Sequence, residues 1–245
     1  MIIIQSQYTS PTFNLAAEEF LISERQDDML FLYVNEPSVI IGCNQAVRNE
    51  VDLEFCKENN IQVMRRMSGG GAVFHDLGNL NFSFISNKIE GKSSLNDNFL
   101  KPIVDVLTAL GIPVEIGKRK DLWLQKEYKI SGTASHVGRN RELHHGTLLY
   151  DTNLEMLEAA LNPKQIDEPV KAIASVRSAV KNLKTHFEEQ GQPALSSTDF
   201  FQVIVRNLLE YYKLKTVLSF SNNDIEKIHD IKKNRYDSDD WTYKK

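Results

Sequence analysis

Residues 65–79 read RRMSGGGAVFHDLGN. Three glycines in a row, at 69–71, can bring backbone N–H groups close to a ligand and can reach positive φ. Two arginines precede them, and arginine meets phosphate and carboxylate oxygens with a planar fork of donors. No Gly-Lys-Ser/Thr follows, so this is not a P-loop. The AVFH that comes next suits a strand, not the helix that a GxGxxG turn would open. On this stretch alone, an anion cradle and a glycine-rich hairpin with solvent-facing arginines stay equally open. His75 and Asp76 are candidate metal ligands, but no further His or Asp stands at zinc-like spacing. Local hydrogen bonding within the loop is the competing account.

Two other stretches carry chemistry-bearing residues. In KEYKISGTAS (126–135), Lys129 sits between apolar Tyr128 and Ile130 and ahead of Ser131-Gly132. A strand lysine in that setting is either on the solvent face or held at a turn, where its point charge can serve a phosphate. His144-His145-Gly146-Thr147 precedes a strand. Adjacent strand residues face opposite ways, so both histidines cannot serve one metal. One exposed and one inward, hydrogen-bonded His is the bland expectation, beside a substrate contact.

These residues need a scaffold, and the pattern supplies one. The helix expected over 14–25 mixes apolar and polar faces. MLFLYV (29–34) and SVIIGC (38–43) read as buried strands joined by a hairpin at NEP. A short helix at VDLEFCKENN ends at Asn59-Asn60, and IQVMRR leads into the glycine run. In LNFSFI (80–85), Leu80, Phe82 and Phe84 alternate with polar residues, as in a strand with one apolar face. Helical spacing recurs at 97–110, in LEMLEAAL, at Phe201, Ile204, Val205, Leu208 and Tyr212, and around 223–233. DLWLQKEYKISG reads as a hairpin turning near Gln125–Glu127. Residues 162–195, with three prolines, read as an irregular connection. The order predicts an α+β fold of mixed β-sheets flanked by helices, and no regular βαβ winding.

Bulk properties narrow the function. The 245 residues suit one large domain or two small ones. A net charge of −4 gives no general attraction to nucleic acid or acidic membranes. The N-terminus lacks a signal peptide's basic region, and no stretch is apolar enough to span a membrane. Cys43 and Cys56 form no CxxC pair or disulfide framework, which points to a reducing, cytoplasmic setting.

Taken together, NLAAEEFL, NEPSVIIGCNQ, RRMSGGGAVFHDLGNLNFSF, KISGTA, HHGTLL, SVRSAVKNL and the terminal WTY resemble the lipoate–protein ligases of the biotin/lipoate ligase superfamily, almost end to end. The resemblance implies a single catalytic domain over 1–245 of the kind shared by biotin ligases and class II aminoacyl-tRNA synthetases. It implies activation of lipoate by ATP, with Mg²⁺, to lipoyl-AMP, and transfer to one lysine of an apo lipoyl domain. The implied acceptors are the E2 subunits of 2-oxoacid dehydrogenases and the glycine-cleavage H protein. Lys129 matches the family lysine at the junction of lipoate carboxyl and phosphate, the expected catalytic residue. Arg66 matches a nucleotide-contacting arginine. Gly71, Ala72, Val73 and Phe74 match the segment along the adenylate. Ser68, Gly70, His75 and His145 lie in motifs that imply supporting roles around lipoate. The strands near Val39–Gly42 and Leu80–Phe84 are expected to wall the lipoyl chain.

The sequence departs from the family at several points. In GKRKDL, Asp121 matches an aspartate expected at the nucleotide, as a ribose or metal contact, but Lys120 stands where Asn is usual. Cys43 replaces a more common polar residue. The chain ends just after the Trp motif, so the expectation is a short ligase, acting as a monomer, without the family's small C-terminal domain. The alternatives are a transferase that uses preformed acyl-AMP or an acyl carrier, a ligase that needs a separate accessory subunit, and a non-catalytic lipoate binder. Neither cysteine lies where a cysteine-dependent transferase would carry its nucleophile.

Overall fold

Among the described residues, the strands form three sheets and the apolar side chains three clusters. The computed structural model describes residues 1–89, 99–164 and 174–244. The largest sheet has five strands in the order β1, β2, β6, β11, β10. They are β1 (Ile2–Gln5), β2 (Met29–Val34), β6 (Asn79–Asn87), β10 (Thr133–Val137) and β11 (Arg141–Leu149). β1 and β2 run parallel and the other pairs antiparallel. A second sheet pairs β3 (Ser38–Ile41) in parallel with β4 (Gln62–Arg65) and antiparallel with β5 (Val73–His75). A third is the antiparallel set β7 (Val114–Ile116), β8 (Leu122–Leu124) and β9 (Tyr128–Ser131).

Both faces of the large sheet are covered. On one, Leu30, Leu32, Leu80, Phe82 and Leu148 pack with α4 (Lys101–Ala109), α7 (Ser197–Tyr211) and the β8–β9 hairpin. On the other, Met29, Phe31, Ile85 and Leu143 pack against α1 (Pro11–Glu24) and α8 (Asn222–Ile231). Burying a side chain of this size stabilises by roughly 1.5–3 kcal/mol. Helix α1 is capped by Ser10, whose side chain accepts from Phe13 N–H, and has proline in its first turn. It is buried nearly all round, and this explains its mixed pattern. The second sheet turns Val39, Ile41 and Phe74 toward α3 (Leu53–Glu58) and α5 (Leu154–Ala160). No helix among the described residues is long and apolar enough to cross a membrane.

Three expectations change. The runs at 29–34 and 38–43 are strands but not a hairpin, since β2 pairs with β1 and β6 while β3 joins another sheet. Both runs are buried, so their partners are set by long-range packing and not by the turn between them. The polar side chains of β6 do not face water: Asn81 and Ser83 are buried under α1. The expected connection over 162–195 contains α6 (Leu183–Glu189), too short to show a helical period. Residues 165–173 of that connection, and 97–98 of the expected helix, lie outside the described residues. The hairpin near Gln125–Glu127 forms as expected, with Gln125 and Lys126 at φ 53° and 63°, the twist that matches two antiparallel strands.

Candidate active site

A cavity of about 290 Å³ opens where the second sheet meets β6 and β11. Arg66, Gly70, Gly71, Ala72, Val73, His75, Asp121, Lys129 and His145 all line it. Stretches far apart in sequence thus form one wall. Gly70 lies at φ +86°, and the turn at Gly42 leaves no room for a side chain, because a Cβ there would stand 2.2 Å from Gly70 O.

Both arginines are buried, so the hairpin with solvent-facing arginines is excluded. Arg65 faces away from the cavity and donates to the carbonyls of Gly42, Cys43, Gln45, Trp241, Thr242 and Lys244. Arg66 donates to Ile40 O at 2.9 Å, to Gly71 O at 2.8 Å and to Gly69 O. Its guanidinium therefore shapes the glycine loop as well as charging it. Burial pulls its pKa down to about 10, against the favourable charge of Glu18.

A directed hydrogen-bond chain runs behind the cavity. Arg66 Nε donates to Ser68 Oγ at 2.9 Å, and Ser68 Oγ lies 2.7 Å from His145 Nε2. His145 Nδ1 lies 2.9 Å from Glu18 Oε1, which also accepts from Tyr33 at 3.0 Å and from Ser83. Burial raises the Glu18 pKa, but the His145 charge and these hydrogen bonds outweigh it, leaving the carboxyl below its usual range. Ser68 is thus a buried link and not a lining residue. β11 turns its two histidines to opposite faces, as strand geometry requires, yet both are buried. His144 stacks on Phe99 at 4.5 Å and approaches Ser135 Oγ at 2.7 Å.

His75 is a loop scaffold with a defined proton. Asn14 donates to Asn35 Oδ1 at 2.8 Å, which turns the Asn35 amide N–H toward His75 Nδ1 at 3.0 Å. Nδ1 therefore accepts and Nε2 carries the hydrogen. Burial, then the nearby Arg66 charge, pushes His75 down to about 3. Unfolded histidine titrates near ~6.5. Between these values the unfolded chain binds a proton that the folded one does not. This stability is full above the unfolded pKa and declines as pH falls toward the folded one. The urea midpoint is expected to fall as pH drops from about 6.5 to about 5, and His75→Gln to flatten that fall. An equal slope in the variant would contradict it. Among the described residues, Asp76 belongs to no group of three or more His, Cys, Asp or Glu side chains placed to hold a metal. Its carboxylate accepts from Gly78 N at 2.9 Å and Asn153 N at 2.7 Å.

Lys129 also lines the cavity, its side chain 21% exposed, with Nζ 3.4 Å from Asp121 Oδ2. Asp121 is buried; burial raises its pKa, but a hydrogen bond from Trp123 and the Lys129 charge more than offset this. Its Oδ2 has no hydrogen-bond partner among the described residues. Arg119 Nη2 is 3.9 Å away. Lys120 takes φ +61° and its carbonyl accepts from Thr133 at 2.7 Å. Asparagine is favoured in that left-handed backbone, so the family's Asn has a conformational reason, and lysine adopts the same turn at some cost.

Two expectations about the walls are corrected. Val73 and His75 line the cavity, so strand alternation turns Phe74 away, into the cluster with Val39 and Ile41. Phe74→Leu is expected to cost about 1 kcal/mol of stability while leaving KM for ATP unchanged; a raised KM would contradict this placement. Of Val39–Gly42 only Ile40 lines the cavity, and of Leu80–Phe84 only Asn81. The apolar residues of β6 face the opposite cluster. Sequence reasoning passed over Tyr33, Asn81, Arg119, Thr133 and Ser175 as lining residues. The available signal was polar side chains spaced two apart in an otherwise apolar strand.

One cavity thus holds a cation paired with a buried carboxylate, a glycine-rich wall and an apolar flank. The chain belongs to the lipoyl protein ligase A/B catalytic domain family, whose model matches residues 10–209. It is 36% identical to the lipoate-protein ligase LplJ of Bacillus subtilis, over 99% of this chain and 73% of that protein. A lipoate protein ligase of Thermoplasma acidophilum, solved with bound lipoic acid, superposes with a TM-score of 0.81 at 25% identity, over 99% of this chain and 98% of the other. A bipartite ligase from the same organism, in a study of that ligase and its E2 lipoyl domain, gives 0.81 at 26% identity, over 99% and 95%. Lipoate-protein ligase A bound with ATP gives 0.80 at 26%, over 99% and 97%.

Proposed function

We propose that this protein activates lipoate with ATP and transfers the lipoyl group to a lysine of an apo lipoyl domain, in a cytoplasmic setting. The observation that carries this reading is that Lys129 and Asp121 line one cavity together with Arg66, Gly70 and Gly71. The two relatives solved with lipoic acid and with ATP support the pair of substrates.

Lipoate carboxylate attacks the α-phosphorus of ATP and pyrophosphate leaves. Lys129 offers its ammonium to the carboxylate and phosphate oxygens where negative charge gathers, and it needs no rearrangement to do so. The acceptor's lysine amine then attacks the acyl carbon, and the bond to AMP breaks. The second step needs a water-poor pocket, because the same carbon reacts with water. Arg66 holds the glycine loop against the nucleotide, and Gly71, Ala72 and Val73 flank the adenylate. Gly70, His75 and His145 border the lipoyl group, with Ser68 behind them.

Mg²⁺ fits the chemistry of Asp121, a carboxylate that lines the cavity and whose Oδ2 is met by cations at 3.4 and 3.9 Å without a short hydrogen bond among the described residues. Magnesium is commonly held by one or two carboxylates together with substrate phosphates. Asp121 would hold it, and the ion would supply charge neutralisation on the phosphates.

The test is pyrophosphate exchange into ATP driven by lipoate, followed by weighing apo lipoyl domains, E2 and H protein in separate arms, after incubation with ATP, Mg²⁺ and lipoate. Exchange and a lipoyl mass gain are expected. A folded protein with neither would sink the reading. A second reading rests on the end-to-end likeness to the bipartite archaeal ligase: transfer from preformed lipoyl-AMP without exchange would favour a need for a separate accessory subunit.

A further inference from the structure

Ala174, Ser175 and Val176 form one wall of the cavity. The strand-like strap that they begin is tied at both ends. Downstream, Lys129 N donates to Ala179 O at 2.8 Å and Lys181 N donates to Lys129 O at 3.3 Å, so the strap runs beside the catalytic lysine's own backbone. Upstream, Ser175 is held by Glu50, Gln45 and Ala72. Its N–H meets both carboxylate oxygens of Glu50, at 3.1 and 3.2 Å. Its Oγ accepts from Ala72 N–H at 2.9 Å and from Gln45 Nε2 at 3.1 Å. Gln45 Oε1 in turn accepts from Gly42 N–H at 2.9 Å, on the turn that backs the glycine loop. The strap packs directly on that loop, since a Cβ at Gly71 would lie 2.9 Å from Ser175 Oγ.

Glu50 closes the helical turn α2 (Val47–Glu50) and is 8% exposed. A buried carboxylate is costly unless its charge is met. Here a backbone amide 125 residues away helps to meet it. This is an anchoring arrangement: a fixed charge on the body of the protein holds the main chain of a segment that covers the site. We infer that Glu50 is a positioning residue for the reaction, latching the 174–181 strap over the cavity so that the acyl-adenylate is retained between activation and transfer. This rests on the lipoate-activating reading above. In productive transfer, the acceptor's nitrogen bonds to the acyl carbon and the bond from that carbon to AMP breaks. If the strap lifts, water makes the attack instead, and free lipoate, AMP and a proton result.

Two readouts test the latch. The first is AMP released per acceptor lipoylated. The second is the dissociation rate of a non-hydrolysable lipoyl-sulfamoyl-adenosine, which needs no activation step and so reports on Glu50 even in a chain that only transfers. Glu50→Ala is expected to raise both by about tenfold, the weight of a charge-assisted hydrogen bond. Glu50→Gln should fall between Glu50→Ala and the wild type, because its amide keeps one acceptor oxygen. A merely structural role would lower the melting temperature and leave the AMP ratio at the wild-type value. Wild-type values of both readouts in folded Glu50→Ala would overturn the inference. If that variant does not fold, wild-type values of both readouts in Glu50→Gln would overturn it equally. A wild-type protein that releases no AMP and does not bind the analogue fails the functional reading itself, which separates the two failures.

Discussion

Lys129→Ala is expected to lose lipoyl-adenylate formation by about 10²–10³-fold or more, the loss seen when a fixed donor to developing negative charge is removed. The reason lies in how the three lining cations are deployed. Arg66 spends its fork on Ser68 and on the carbonyls of Ile40, Gly69 and Gly71. Arg119 is half exposed and bonds Ser178 at 3.4 Å. Lys129 alone combines partial burial, an ammonium beside the buried Asp121 carboxylate and a backbone fixed on both sides by the strap. Stability should fall by about 1–3 kcal/mol, because the buried Asp121 carboxylate loses its nearby ammonium. Lys129→Arg keeps the charge but replaces a compact ammonium by a planar fork, so it too should fall well below wild type. Pyrophosphate exchange measures the loss, with the melting transition as control. A folded Lys129→Ala protein with near wild-type exchange would remove the lysine from the mechanism.

Arg65→Met should have the largest effect on stability, about 3–5 kcal/mol, since it strands several buried carbonyl groups at once. For a chain of this size that corresponds to a melting temperature lower by roughly 10 °C. Arg65 is 1% exposed, and its donors reach both the turn at Gly42–Gln45 and the C-terminal turn at Trp241–Lys244. Trp241 returns a hydrogen bond from Nε1 to Arg65 O at 2.8 Å, with Arg235 and Lys244 over its ring at 4.8 and 3.8 Å. The variant should therefore show early exposure of the C-terminal turn, read by tryptophan emission and by proteolysis near residue 240. A loss below about 1 kcal/mol would show that the guanidinium is replaceable packing.

These residues mark what was legible in the chain. In sequence the RR pair reads equally well as part of an anion cradle or as solvent-facing arginines, and only the family resemblance singles out Arg66. The fold makes one a structural clamp and the other a loop organiser, because adjacent strand residues point to opposite faces. The same alternation took Phe74 off the cavity and put His75 on it. Lys129 was legible only with its family motif, since a lysine between apolar neighbours reads equally well as a solvent-facing residue. Glu18 was not legible as a buried charge, because its partners Tyr33, Ser83 and His145 come from three strands distant in sequence.

By itself the sequence determined the local elements and the family: strands and helices follow from spacing, turns from Gly, Pro and Asn, and the signature stretches from residue order. The α+β class with mixed sheets followed from those. Only the tertiary structure decided which sheet each strand joins, which residues of each motif face the cavity, and that residues 174–181 close its wall. Those outcomes depend on contacts between segments tens to hundreds of residues apart, and burial, not local propensity, selects among them.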